Sequence, residues 1–589
     1  GLWLLAQKFI CGRLSTPSDT SSAWGSNPSL ITKVLFRELD EKITVLFKGL
    51  QLLAQKFISG RFRQPIYILC LCTLLLTSCG SSPKDTNIDR IRIGTTTQVK
   101  TLDPADAYEQ SSAMVIYNLG DRLYTYKPGT TELQPQLATA LPTISSDGLT
   151  YKIPLRSGVL FHDGTPFNAE AMVFSLNRFL ENKGRPSFLI SSIVKSAEAT
   201  GEYELTIRLQ QPFAAFTSLL TYPGLCPVSP QAYEIGEGKF KPNTFVSTGP
   251  YKLGTYSSDL IRLEPFDRYW GEKPANSGID LQRFSSGANL YNAFRTEAVD
   301  VAYQSLDADQ IHSLEELASQ EGWQVVKTDS PGITYLVVNL KQPPLDRLEV
   351  RQALATAIDR QLLNERVLYG QAEPLYTLIP TAFDASQPVF QEKYGDGNLA
   401  KAKELFEKAG FSANNPLDLE IWYASNSPAA SLGVTVMKAV ADRDLEGILN
   451  IEPRAVEAAT AYGYLDKGVY PIFWLTWYAD FFDADNYIKP FIDCEKGSPT
   501  TGCEEGESQY HGSFYYNEKA NKLIDRQRQE SDPKARNAQF VQLQNTIAED
   551  VPFIPLWQSK DYAFAQKEIS GVQLNATQQL LPFWTIQYQ

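Results

Sequence analysis

An α/β fold is the class this sequence predicts, and three observations predict it. Stretches with alternating apolar residues recur along the chain, and stretches with apolar residues at helical spacing lie between them. No low-complexity linker occurs after residue 90. The 589 residues exceed what one simple core holds; roughly two to four tightly joined domains are expected, with the chain crossing between them.

The elements follow in order. "GLWLLAQKFICGR" (1–13) recurs as "GLQLLAQKFISGR" (49–61), identical at eleven of thirteen positions, and no Met precedes Met114. Residues 1–48 are therefore read as a duplicated or over-extended segment, with the true start near residue 50. Next comes an eleven-residue apolar run, Ile66 to Leu76, behind Lys56, Arg61 and Arg63. A helix crossing a bilayer needs about 20 residues. A basic region, a short apolar region and small residues form a secretory signal over 49–78. Its last residues, Leu76-Thr77-Ser78-Cys79, resemble the lipobox of bacterial lipoproteins, which implies acylation of Cys79 and cleavage before it. Several acyl chains anchor stably where one does not. Residues 79–87 then read as a polar tether.

"LTYKIPL" alternates Leu149, Tyr151, Ile153 and Leu155, and "YELTIRL" alternates Tyr203, Leu205, Ile207 and Leu209; both predict half-buried strands. Between them, Asp163-Gly164 predicts a turn and Asn168 the N-cap of a helix to about Leu180. Val350, Ala353, Leu354, Ala357, Ile358 and Leu362 predict one helix that ends at Gly370. Asp532-Pro533 opens another helix, and "VPFIPLW" follows as a strand.

The nine basic and four acidic residues of 1–63 leave with the signal; 45 basic and 63 acidic residues remain from Cys79 onward, a net charge of −18. Phosphate backbones repel such a body, which excludes nucleic acid as a partner. Cys494 and Cys503 bracket a Gly/Ser/Pro-rich loop. In an oxidising compartment they can close a disulfide stabilising by roughly 2–3 kcal/mol; free thiols are the alternative. Cys226 reads as a small buried hydrophobe.

Catalytic constellations are missing. The three histidines are His162 in a turn, His312 on a helix surface and His511 in a polar loop; no GxSxG, HExxH or P-loop motif occurs, and no cofactor or metal is expected. One stretch is suited to binding, "FWLTWYADFFDADNY" from Phe473 to Tyr487. Trp474, Trp477, Tyr478, Phe481 and Phe482 are placed to wall a pocket, and Asp480, Asp483 and Asp485 to receive a cation such as a ligand ammonium. Core aromatics beside a solvated acidic turn are the alternative reading. The remaining ligands of a calcium loop are missing.

Five segments in order, 149–179, 247–274, 336–363, 477–491 and 549–557, resemble the extracytoplasmic solute-binding proteins of family 5, which serve peptide- and nickel-type ABC importers. The resemblance implies a two-lobed periplasmic-binding-protein fold with a hinge. Lobe one would take 88–122, 246–328 and 561–589, an extra subdomain 123–245, and lobe two 329–560. It implies a monomeric extracytoplasmic lipoprotein that closes on a short peptide and delivers it to permease and ATPase subunits. Asp480 matches the aspartate that receives a peptide amino group, and Tyr108, Glu109 and Gln110 match the contact region of the other lobe. Arg351 and Arg360 are read as structural, and the partner of a ligand carboxylate is unassigned. Alternatives are another solute on the same fold (nickel chelate, opine or sugar), a secreted hydrolase, or a signalling receptor module.

Overall fold

The computed structural model describes residues 90–127, 130–577 and 580–589. The 1–48 segment, the signal, Cys79 and the tether lie outside the described residues.

Eleven strands form one continuous sheet. At its centre the long strand Gln324–Val338 lies antiparallel to Phe553–Ala565, with Gln324 opposite Ala565 and Val337 opposite Phe553. Ile333, Tyr335, Leu336, Val337 and Val338 are all buried, so this half of the strand is apolar on both faces. The register breaks between Asp329 and Ile333, at Ser330-Pro331-Gly332. Beyond the break the sheet continues through Ile472–Trp477, Leu417–Ala424 and Leu449–Val456. Before it, Phe553–Ala565 pairs with Val301–Tyr303, which leads to Ile91–Thr95 and Ile279–Arg283.

Each half of this sheet carries its own core. One is built from residues between Ile333 and Trp557. The other gathers Ile91, Met114, Leu263, Val301, Ala563 and Phe583 from segments far apart in sequence. The molecule is thus a mixed α/β, two-lobed protein whose lobes share two strands. A third core, between Leu123 and Leu225, packs on a separate four-stranded sheet. Phe481, from the loop after Ile472–Trp477, is buried in this third core, its ring 6.1 Å from Phe213.

The strands at Thr150–Pro154 and Glu204–Leu209 form as their alternation predicts, paired antiparallel with Tyr151 and Ile207 opposed. Asn168 caps the helix Ala169–Glu181 and accepts the Ala171 N–H. Gly164 turns with φ +89°, a left-handed conformation open to glycine, and donates to the Phe161 carbonyl at 2.8 Å. Asp532 caps Pro533–Asp550 through the Ala535 N–H. The single helix expected up to Gly370 is instead two, Leu348–Ala357 and Arg360–Leu368. Ile358 is extended (ψ 123°), and Asp359 takes the Leu362 N–H and restarts the helix as its N-cap. An Asp inside an apolar helical pattern favours a new cap over continuation.

One buried ion pair fixes the segment that carries Tyr108. Arg178 donates to both carboxylate oxygens of Asp103 at 2.8 and 2.7 Å, and both side chains are buried. It fastens Ala169–Glu181 to the segment leading into Tyr108. The Tyr222 hydroxyl donates to the Ala107 carbonyl at 3.1 Å and holds that segment from the other side.

Candidate functional site

A cavity of about 860 Å³ opens where several elements end. It lies between the start of Ala308–Glu321, the end of Arg360–Leu368, the start of Pro428–Asp444, Tyr462, and the strands Ile472–Trp477 and Phe553–Ala565. Its floor carries Trp474 and Trp557, with ring centroids 5.1 Å apart and planes at 63°. Thr334 and Thr476 lie in the lining too, hydrogen-bonded to each other at 3.0 Å. Gly433 lets the Trp474 ring lie against the Pro428–Asp444 helix; a Cβ there would meet the ring at 2.4 Å. Tyr478 also lines the cavity, and its ring fills the space beside Gly332 at the register break.

Of the aromatics expected to wall one pocket, Trp474 and Tyr478 reach this cavity. Trp477 is engaged elsewhere: its indole N–H donates to the Asn486 carbonyl at 2.9 Å, and its ring packs on Phe491 and His511. Phe482 stacks on Phe383 at 4.3 Å, and Phe481 sits in the third core. Two of the three acids are also occupied internally. Arg536 donates to both oxygens of Asp483, at 2.8 and 2.7 Å. Asp485 accepts from Gln527 and lies 3.7 Å from Arg528.

Asp480 differs from both. It follows the cavity-lining Tyr478 by two residues, and its backbone N–H donates to Asn486 Oδ1 at 2.9 Å. Its carboxyl is hydrogen-bonded by the Tyr108 side chain, which comes from the opposite lobe, and by Asn486. Among the described residues no Lys, Arg or His pairs with it. Burial pushes its pKa up to about 6, the hydrogen bonds from Tyr108 and Asn486 oppose that rise, and Glu507 adds to it.

Glu109 stands next to Tyr108, at the N-cap position of the helix Gln110–Leu119. One of its oxygens pairs with Arg185 at 2.7 Å and Lys100 at 3.5 Å. The other, Oε2, is buried without a hydrogen-bond partner among the described residues. Burial raises the pKa of the Tyr222 hydroxyl well above its ordinary value, and Asp480 and Glu109 both add to that rise, so the two carboxylates share one neighbourhood.

Other residues singled out in the sequence serve structure. Arg351 donates to the carbonyls of Leu345, Asp346 and Asp550, and Arg360 to those of Leu375 and Pro555 and to Asp396. His511 is not in an open polar loop: its ring stacks on Phe491 at 5.1 Å, and burial lowers its pKa to about 4. His162 is buried as well, bonded to the Gly249 carbonyl at 3.1 Å, with its pKa lowered to about 4. Cys494 and Cys503 are joined, Cα atoms 5.7 Å apart, and Cys226 is buried and free. Among the described residues no group of three His, Cys, Asp or Glu side chains is placed for a metal ion, and no helix is long and apolar enough to cross a membrane.

Sequence reading missed Trp557, Tyr462 and Lys560 as lining residues. Period-two alternation was the available signal for Trp474 against Trp477: three residues apart on one strand, they point to opposite faces.

Comparison with known proteins agrees with this architecture. The chain is similar to the "Glutathione-binding protein GsiB" of Escherichia coli (strain K12), 27% identical over 519 residues, covering 86% of this chain and 96% of that protein. Its fold matches the dipeptide binding protein of Pseudoalteromonas sp. SM9913 in complex with Met-Leu (TM-score 0.71, 22% identity, 85% of this chain, 100% of that one). It also matches NikZ from Campylobacter jejuni in complex with Ni(L-His) (TM-score 0.70, 20% identity, 85% and 99%). Residues 132–499 match the family model described as "Bacterial extracellular solute-binding proteins, family 5 Middle". The chain belongs to the bacterial extracellular solute-binding proteins of family 5.

Proposed function

We propose that this protein captures short peptides between its lobes and delivers them to the permease and ATPase of an ABC importer. The observation that carries this reading is Asp480: a partly buried carboxylate with no protein cation among the described residues, held by a tyrosine from the opposite lobe and two residues beyond Tyr478, which lines the cavity of about 860 Å³. A buried carboxylate without a counter-ion is costly, and a peptide ammonium removes that cost through charge-assisted hydrogen bonds. Glu109 Oε2 supplies an acceptor without a hydrogen-bond partner among the described residues in the same neighbourhood. Because Tyr108 and Asp480 come from different lobes, an ammonium bound at both favours the closed state over the open one. The remaining hydrogen bonds come from hydroxyls such as Thr334 and Thr476 and suit a peptide backbone.

Family relatives support the ligand class. GsiB is named for glutathione, and the dipeptide-binding neighbour holds Met-Leu; both ligands are short peptides with a free amine. We further propose that the protein binds and does not cleave its ligand, acts as a monomer, and is anchored in the cell envelope by lipid on Cys79. A thermal-shift screen of di- to pentapeptides tests the ligand class: stabilisation by a subset is expected, and no response to any peptide would overturn it. Cys79→Ala should release the protein from the membrane fraction with peptide binding intact.

A further inference from the structure

We propose that the cavity selects peptides that carry a large apolar or aromatic side chain and no net negative charge. The inference rests on the peptide reading above and names the substrate class for that same site.

Two observations carry it. The first is a set of large apolar side chains in an otherwise mixed lining. Trp474 and Trp557 form the floor, while Leu432, Tyr462 and Tyr478 line the same cavity with 43%, 60% and 46% of their surface exposed. Leu432 and Tyr462 come from different helices, Pro428–Asp444 and Ala458–Leu465. Large apolar side chains left exposed in a concave site await an apolar partner. Aromatic rings there also offer faces and edges to a ligand ring.

The second is charge. Among the described residues Lys560 is the one cation in the lining, and Glu373 already pairs with it. Asp307 and Asp309 stand in the lining as acids. A ligand side chain ending in a carboxylate would meet these two acids and a lysine already neutralised. Such a like-charge encounter is a means of rejection.

Intrinsic tryptophan fluorescence, to which Trp474 and Trp557 contribute among nine tryptophans, gives the readout, and Trp474→Phe identifies the cavity's share of the change. The full chain is titrated with neutral dipeptides and tripeptides containing Phe or Leu, with matched peptides containing Glu, and with glutathione, whose two carboxylates outnumber its amine. The neutral apolar peptides should bind about tenfold or more tightly than their Glu counterparts and than glutathione. Tyr462→Ala and Leu432→Ala, both at exposed positions, should each weaken binding of the Phe peptide by about threefold to tenfold more than binding of Gly-Gly, with melting temperature unchanged. Equal or tighter binding of glutathione or the Glu peptides overturns the inference and leaves peptide capture standing. Silence toward every peptide overturns both. Unchanged Phe-peptide affinity in both variants, with folding intact, overturns the apolar lining as the selector.

Discussion

Asp480 and Asp483 stand three residues apart in one acidic loop and differ in every physical respect that matters. Asp483 is gripped by the two arms of Arg536, at 2.7 and 2.8 Å, and belongs to the protein's own charge balance. Asp480 has a tyrosine and an asparagine where Asp483 has a guanidinium, and burial raises its pKa to about 6. A completed ion pair is structure. An acid supplied only with neutral donors is what the proposed ammonium site requires, and the lobe opposite contributes one of those donors. Acidic residues in a loop therefore carry no functional weight until their partners are known.

Breaking the completed pair should have the largest effect. Asp483→Ala leaves the partly buried Arg536 without its bidentate partner and with Asp485 as the remaining nearby acid, and an unfolding titration should give a loss of about 3 kcal/mol. Asp480→Asn should act the other way round. It removes no ion pair, so stability at neutral pH should hold or rise, while affinity for a peptide with a free amine falls by about 2 kcal/mol, roughly thirtyfold. Calorimetry against the same peptide with a blocked amine should show no difference between Asp480→Asn and the parent.

Acidity sharpens the contrast. An unfolded aspartate loses its proton near pH 4, whereas Asp480 in the fold keeps it to about 6. The folded state therefore binds more protons across that window, and this group's contribution to stability is lost as pH rises from about 4 through 6. Ligand binding has the opposite sign, because the ammonium needs the ionised acid. Affinity should rise about tenfold from pH 5 to pH 7 in the parent and stay flat in Asp480→Asn. The smallest effect belongs to Tyr108→Phe. Losing one hydrogen bond to Asp480 should cost about 1 kcal/mol of peptide affinity and move the pH midpoint further up.

Much of the fold was legible because its signals are local. Asn168 and Asp532 cap helices within three residues of themselves, and the alternation of Tyr151 and Ile153 reports directly on which face is buried. The break at Ile358-Asp359 was legible in principle, since Asp is a better cap than helix interior, but the apolar spacing masked it. The acidic loop put Asp480 forward together with Asp483 and Asp485, and the family resemblance singled it out of the three. That it lacks a cation was not legible, because the residue that satisfies its neighbour Asp483 is Arg536, 53 positions away. The parting of Trp474 from Trp477 was readable from strand periodicity, whereas Tyr462 and Trp557 reach the same cavity through tertiary folding that no short stretch records.

The shared central strands have a consequence for how the molecule is made. Among the described residues, Phe553–Ala565 alone bridges Gln324–Val338 and Val301–Tyr303 in the sheet. It emerges from the ribosome more than two hundred residues after both of the strands it joins. Until then each half-sheet has an open edge, a template for pairing with other chains. The nascent protein therefore cannot finish either lobe early. Its central sheet stays incomplete until that late segment arrives.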